Sequence, residues 1–226
     1  MTTVDEGRPD TAAEWTAHAR TAGASGVVFA GLLTASLVLV RQGPGLADPD
    51  AAYAAFYASG AQSLLVTVGL YLVPFAGIAF LWHMIAVRML VPHSPSVGWW
   101  LQLASGVLFV AMLFIGTAAV GGVALLGRFS TVPAPDPDVA RALAGVGYAT
   151  VFVFGVRAAG MYMITTTGLA RRAGAMPGPL ALVGYLAAAF LLVSTTFHPA
   201  IMLVFPGWVL LVSVLLLVRR PDTGTV

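Results

Sequence analysis

Six stretches of about 20 apolar residues, the length that crosses a bilayer, run through the chain at 23–40, 61–87, 98–126, 142–170, 179–197 and 199–218. Segments of that kind leave little choice of fold, because in lipid a lone segment satisfies its backbone only as a helix. Of the 226 residues, 59% are hydrophobic and 9% are charged, whereas a soluble domain carries about 25% charged residues. The same apolar excess excludes disorder. The expected fold is all-α, a polytopic transmembrane bundle of six helices over 23–218, with tails at 1–22 and 219–226. The first stretch reads as a retained helix. Asp5, Glu6, Asp10 and Glu14 precede it, without the basic start of a cleaved signal peptide.

Arginine placement orients the bundle. With both termini cytoplasmic, the inner side carries Arg8, Arg20, Arg88, Arg171, Arg172, Arg219 and Arg220. The outer side then has Arg41, Arg128 and Arg141, beside Asp48, Asp50, Asp136 and Asp138. Trp82, Trp99 and Trp100 fall at the inner interface, and Tyr53, Phe56 and Tyr57 are expected to form an outer aromatic belt. A net charge of +2, spread over several loops, gives no footprint for nucleic acid. Thr11 and Glu14 fit a capping box, so the N-terminal tail is either a short surface helix carrying Trp15 or disordered.

The residues that are missing narrow the chemistry. Cysteine is absent, which excludes disulfides, thiolate metal sites and cysteine nucleophiles. Lysine is absent too, so no retinal or pyridoxal Schiff base can form. All nine carboxylates lie in tails or loops, whereas proton-coupled carriers usually keep Asp or Glu within the spans. His18, His83, His93 and His198 provide no pair at ligand spacing on one helix. No metal and no cofactor is therefore expected, and no nucleophile–base pair marks an enzyme.

Asp48-Pro49-Asp50 and Asp136-Pro137-Asp138 stand 88 residues apart, each before an apolar stretch. In both, the first Asp is expected to cap backbone amides, Pro to take the first helical position, and the second Asp to complement the dipole. An outer cation site is the functional alternative. The offset also suggests two similar helical hairpins followed by a third with a short turn near Thr196–Pro199.

Arg157 stands out because it lies near the middle of the fourth stretch. An arginine at the centre of a span costs about 2.5–3.5 kcal/mol on insertion scales and must be satisfied inside the bundle. With no carboxylate in any span, its partner is an outside anion, or else carbonyls, hydroxyls and water. Thr150 shares its helical face, and Gly155 and Gly160 let a neighbouring helix approach. Depth matching adds Tyr71, Tyr162, His83, Gln102 and Tyr185, which together could line a pocket open to the cytoplasm. Each has a plainer reading. Arg157 can be a structural arginine bonded to carbonyls, His83 an interfacial residue beside Trp82, and the tyrosines packing residues. Thr165–Thr167 can bond back to their own helix, and Pro74 and Pro206–Gly207 can mark kinks.

The run from Tyr71 through Pro74 and Gly77 to Trp82, the run from Gly106 to Phe114, and Arg157 with Tyr162 through Gly168, Pro177, Gly184 and Tyr185 resemble an actinobacterial family of uncharacterised six-helix integral membrane proteins. That resemblance implies the six-helix fold and a cytoplasmic-membrane location, and no particular activity. The functional expectation is a non-enzymatic bundle that binds, or binds and moves, a small anionic or amphipathic molecule around Arg157. The competing expectation is an accessory or scaffold subunit of a larger membrane assembly. Expected partners are membrane lipids, the anionic ligand, and a second copy or another membrane subunit.

Overall fold

The computed structural model describes residues 12–91, 96–129, 131, 135–196 and 198–218, and among these every regular element is helical. Arg8, Thr11, His93, Arg219 and Arg220, and the side chain of Arg128, lie outside the described set. The elements are α1 (Ala12–Val40), α2 (Asp50–Ala58), α3 (Gly60–Met89), α4 (Val97–Phe129), α5 (Pro137–Tyr148), a π-helical segment (Ala149–Gly155), α6 (Val156–Arg172), α7 (Gly178–Val193), a 3₁₀ turn (Pro199–Leu203) and α8 (Val204–Val218). Among the described residues, five helical runs are long and apolar enough to cross a membrane: 13–40, 62–89, 97–126, 137–172 and 199–218. This is a multi-pass arrangement.

α7 is the exception. Its 16 residues reach about 24 Å at 1.5 Å per residue, short of a hydrocarbon core of about 30 Å. The stretch expected over 179–197 stops at Val193 because Ser194, Thr195 and Thr196 follow with no apolar face, and Ser194 adopts an extended conformation. α1, in contrast, starts ten or so residues earlier than its apolar core requires. Ala19 and Ala22 pack on Ala86, Val87 and Leu90, with Trp15 covering them, so the helix gains a tertiary partner before it becomes lipophilic.

The two Asp-Pro-Asp segments fold differently. Asp136 caps α5, its carboxylate accepting the Asp138 N–H at 2.9 Å, with Pro137 at the first helical position. Asp48 instead accepts the Gly45 N–H at 2.8 Å and closes the preceding turn, leaving Pro49 to start α2 without a side-chain cap. Ser59 then breaks α2 from α3, while α5 passes through the π segment into α6. Pro74 lies inside a continuous α3, and Pro206 falls in the first turn of α8, where its missing N–H costs little.

α1 lies against α3 and α8, α3 against α4, α4 against the α5–π–α6 run, and α6 against α7. The centre is aromatic. Phe29, Phe80, Phe109, Phe205 and Tyr162 meet at centroid separations between 4.7 and 6.3 Å, mostly edge to face, as ring quadrupoles favour. Gly116 of α4 and Gly147 of α5 face each other so closely that a Cβ on Gly147 would stand 2.5 Å from the Gly116 carbonyl oxygen. No larger residue permits that approach.

The expected outer aromatic belt does not form. Tyr53 and Phe56 are buried, Tyr53 donating to the Gly45 carbonyl at 3.0 Å beneath the Arg141 guanidinium, 4.9 Å from its ring. Arg141 also bonds Asp50 at 2.7 Å and Asp138 at 2.6 Å, the two equivalent residues of the 88-residue offset. This clasp holds α2 on α5. Trp82 and Trp100 do face outward at the end of the bundle that carries Arg88, Arg171 and Arg172, hereafter the arginine end. The opposite end, with Asp48, Asp50 and Asp138, is the aspartate end.

Candidate functional site

The residues expected around Arg157 separate into distinct places. Arg157 is half-buried, donating from Nη1 to the Phe152 carbonyl at 2.5 Å and from Nη2 to the Ser194 carbonyl at 2.6 Å. Both acceptors follow from local backbone. Phe152 lies in the π segment, where the i→i+5 pattern disturbs the regular ladder, and Ser194 ends α7, where the last carbonyls have no intrahelical partner. A cation there also complements the negative end of α7. Arg157 thus joins α6 to the end of the short helix, and Gly160 lets α7 come close, a Cβ there standing 3.1 Å from the Ala188 carbonyl.

Thr150 turns its hydroxyl back to the Val146 carbonyl at 2.8 Å. Tyr71 is 56% exposed and faces outward. Neither joins Arg157 in a pocket. Tyr185 is half-buried, its hydroxyl beside Gly168 on α6.

Gln102 and Tyr162 do come together, in the half of the bundle toward the arginine end, and His83 is linked to them through Phe80, which packs on both the His83 and the Tyr162 ring. All are buried, and His83 is not the interfacial residue that its neighbour Trp82 suggests. His83 Nδ1 lies 2.8 Å from the Ala22 carbonyl, which can only accept, so Nδ1 carries the hydrogen and Nε2 is left as an unpartnered acceptor. Gln102 donates to Thr166 Oγ1 at 3.1 Å, and the Tyr162 hydroxyl lies against this pair without reaching hydrogen-bond geometry. Thr165 bonds back to Met161 and Tyr162, as threonines in helices often do. Thr167, Trp208 and Ser213, which the sequence does not single out, add three more buried and unpartnered polar atoms. Each such atom costs about 1–3 kcal/mol if left dry.

A cleft of about 200 Å³ opens at the aspartate end. Its walls come from the last turn of α1, from α4 between Leu113 and Val120, and from Gly147–Phe152; its floor is the 3₁₀ turn with Met202. The cleft lies where the 3₁₀ turn that leads into α8 meets α1, α4 and the π segment. The lining is mainly apolar, with Arg41 and His198 at the exposed rim. His198 Nδ1 accepts the Ala200 N–H at 3.2 Å and starts the 3₁₀ turn. Phe152 connects the two places, since its ring lines the cleft side and its carbonyl holds Arg157. The short turn that the sequence places near Thr196–Pro199 marks the break between α7 and α8.

On α2, above the membrane-spanning runs, burial pushes the Tyr57 phenol up to about 12, with the neighbouring Tyr53 adding to the rise. Tyr53 is raised by burial and held back by Arg141. Among the described residues no group of histidines and carboxylates is arranged to hold a metal ion. No protein-family model matches the chain, and no curated protein or solved structure matches it either.

Proposed function

We propose that the protein is a non-enzymatic six-helix membrane protein that binds one amphipathic molecule with an anionic head group in the cleft at the aspartate end. In this reading α7 is the sixth span, and the arginine end, with both termini, faces the cytoplasm. Arg157 supports that count, because it supplies the partner a 16-residue helix needs to end at membrane depth. The resemblance to six-helix membrane proteins agrees with it.

The cleft carries the functional reading. Its apolar walls suit an acyl chain, and Arg41 and His198 at the rim suit a phosphate or carboxylate head. Its volume is below the roughly 300–1,000 Å³ of pockets for drug-sized ligands, which fits one chain segment and not a bulky solute. Arg157 contributes by holding the Phe152 wall through its carbonyl and not by touching the head group.

The test is native mass spectrometry of delipidated protein given equal amounts of phosphatidylglycerol and phosphatidylcholine. Wild type is expected to retain the anionic lipid preferentially, and Arg41→Gln, a change at an exposed position, to lose that preference. Equal retention of the two lipids by wild type would overturn the reading. The bonding of Arg157 to two carbonyls also favours a second reading, in which the bundle is an accessory subunit and Arg157 only locks its helices.

A further inference from the structure

The buried polar layer toward the arginine end is separate from the cleft and does not depend on what the cleft binds. His83 on α3, Gln102 on α4, Thr166 and Thr167 on α6, and Ser213 on α8 all lie about five or six residues from the arginine-end termini of their helices, a common depth of about 8 Å. Tyr162 and Trp208 lie one turn or so deeper. The layer has a donor without an acceptor in Trp208 Nε1, an acceptor without a donor in His83 Nε2, and hydroxyls that can serve as either in Thr167 and Ser213. It contains no carboxylate and no arginine, so a charged guest would find no counter-charge there.

A pocket of about 200 Å³ leads toward it. Ile85, Arg88, Trp99 and Leu103 surround its mouth between α3 and α4, and Gln102 and Met84 form its inner wall. Met84 is flexible and packs on Gly106 together with Tyr162, so Met84, beside Gln102 of the layer itself, separates the pocket from the Tyr162 side of the layer. We propose that the layer is a hydrated chamber: a binding site for water, the smallest neutral molecule with both donors and acceptors, admitted from the arginine end past Met84 and Gln102. Water completes the bonds that the protein leaves open. The aromatic cluster of Phe29, Phe80, Phe109 and Phe205 closes the chamber from the cleft above.

The absence of cysteine makes the test direct. Thr166→Cys, Ser213→Cys and the reference Ala76→Cys, a buried position in the apolar core, each provide the sole thiol of the chain. Exchange of the thiol S–H for S–D in heavy water, read by the infrared S–H stretch, needs only water at the sulfur. Both chamber cysteines are expected to exchange at least tenfold faster than Ala76→Cys, and Leu103→Trp, which fills the pocket, to slow them at least fivefold. Rates equal to Ala76→Cys would overturn the chamber, and rates unchanged by Leu103→Trp would overturn the route. In unsubstituted protein, solid-state NMR magnetisation transfer from water to the Trp208 indole is expected; its absence would also overturn the proposal.

Discussion

Arg157 on α6 donates to the carbonyl of Ser194, the residue at which α7 stops, at 2.6 Å. A half-buried cation thereby serves the end of a 16-residue helix, shorter than the length that crosses a hydrocarbon core. The arginine that most suggests a ligand contact is bonded to its own backbone.

Removing that arginine is expected to act on stability. Arg157→Gln removes the charged donor from the Phe152 and Ser194 carbonyls and should cost about 3–6 kcal/mol, from two hydrogen bonds to a charged group. Arg157→Lys should recover only part, because an ammonium lacks the planar fork that spans two acceptors. Thermal unfolding in detergent reads both, and an unchanged midpoint for Arg157→Gln would remove the clamp.

The glycine contacts separate sharply by position. A methyl at Gly147 meets the Gly116 carbonyl and the Val120 side chain, so Gly147→Ala should destabilise by about 1–3 kcal/mol through overpacking. Gly31 and Gly145 have open space around the same position, and Ala there should be neutral or stabilising by up to about 1 kcal/mol. Parallel unfolding curves of the three variants decide it.

Arg141 bridges Asp50 and Asp138 on exposed surface and covers the Tyr53 ring. Arg141→Gln should speed amide exchange in α2 far more than in α3, and raising the salt concentration should reduce the difference, because exposed ion pairs are screened. Equal exchange in the variant and wild type would show that apolar packing alone holds α2.

Alkaline pH gives a further reading at α2. In the unfolded chain Tyr57 releases its proton near 10, while the folded protein keeps it up to about 12. Deprotonation therefore favours the unfolded state between those values, and stability is full below pH 10 and falls as pH rises toward 12. Tyr57→Phe should remove that part of the alkaline loss, seen as a flatter dependence of the unfolding midpoint on pH.

The sequence by itself determined the class of fold and most helix positions, because long apolar runs admit only one backbone arrangement in lipid. It also placed the Asp136 cap and the α7–α8 turn, which depend on neighbours in the chain. It could point to Arg157 but not to Phe152 and Ser194 as its partners, since one lies in a π segment and the other is 37 residues away. The rest was decided by tertiary structure. Which face of α3 turns inward buries His83 and exposes Tyr71, and periodicity is nearly silent about this when every face of the helix is apolar. The cleft and the polar layer likewise belong to spaces between helices, and such spaces are set by how side chains from distant segments interlock.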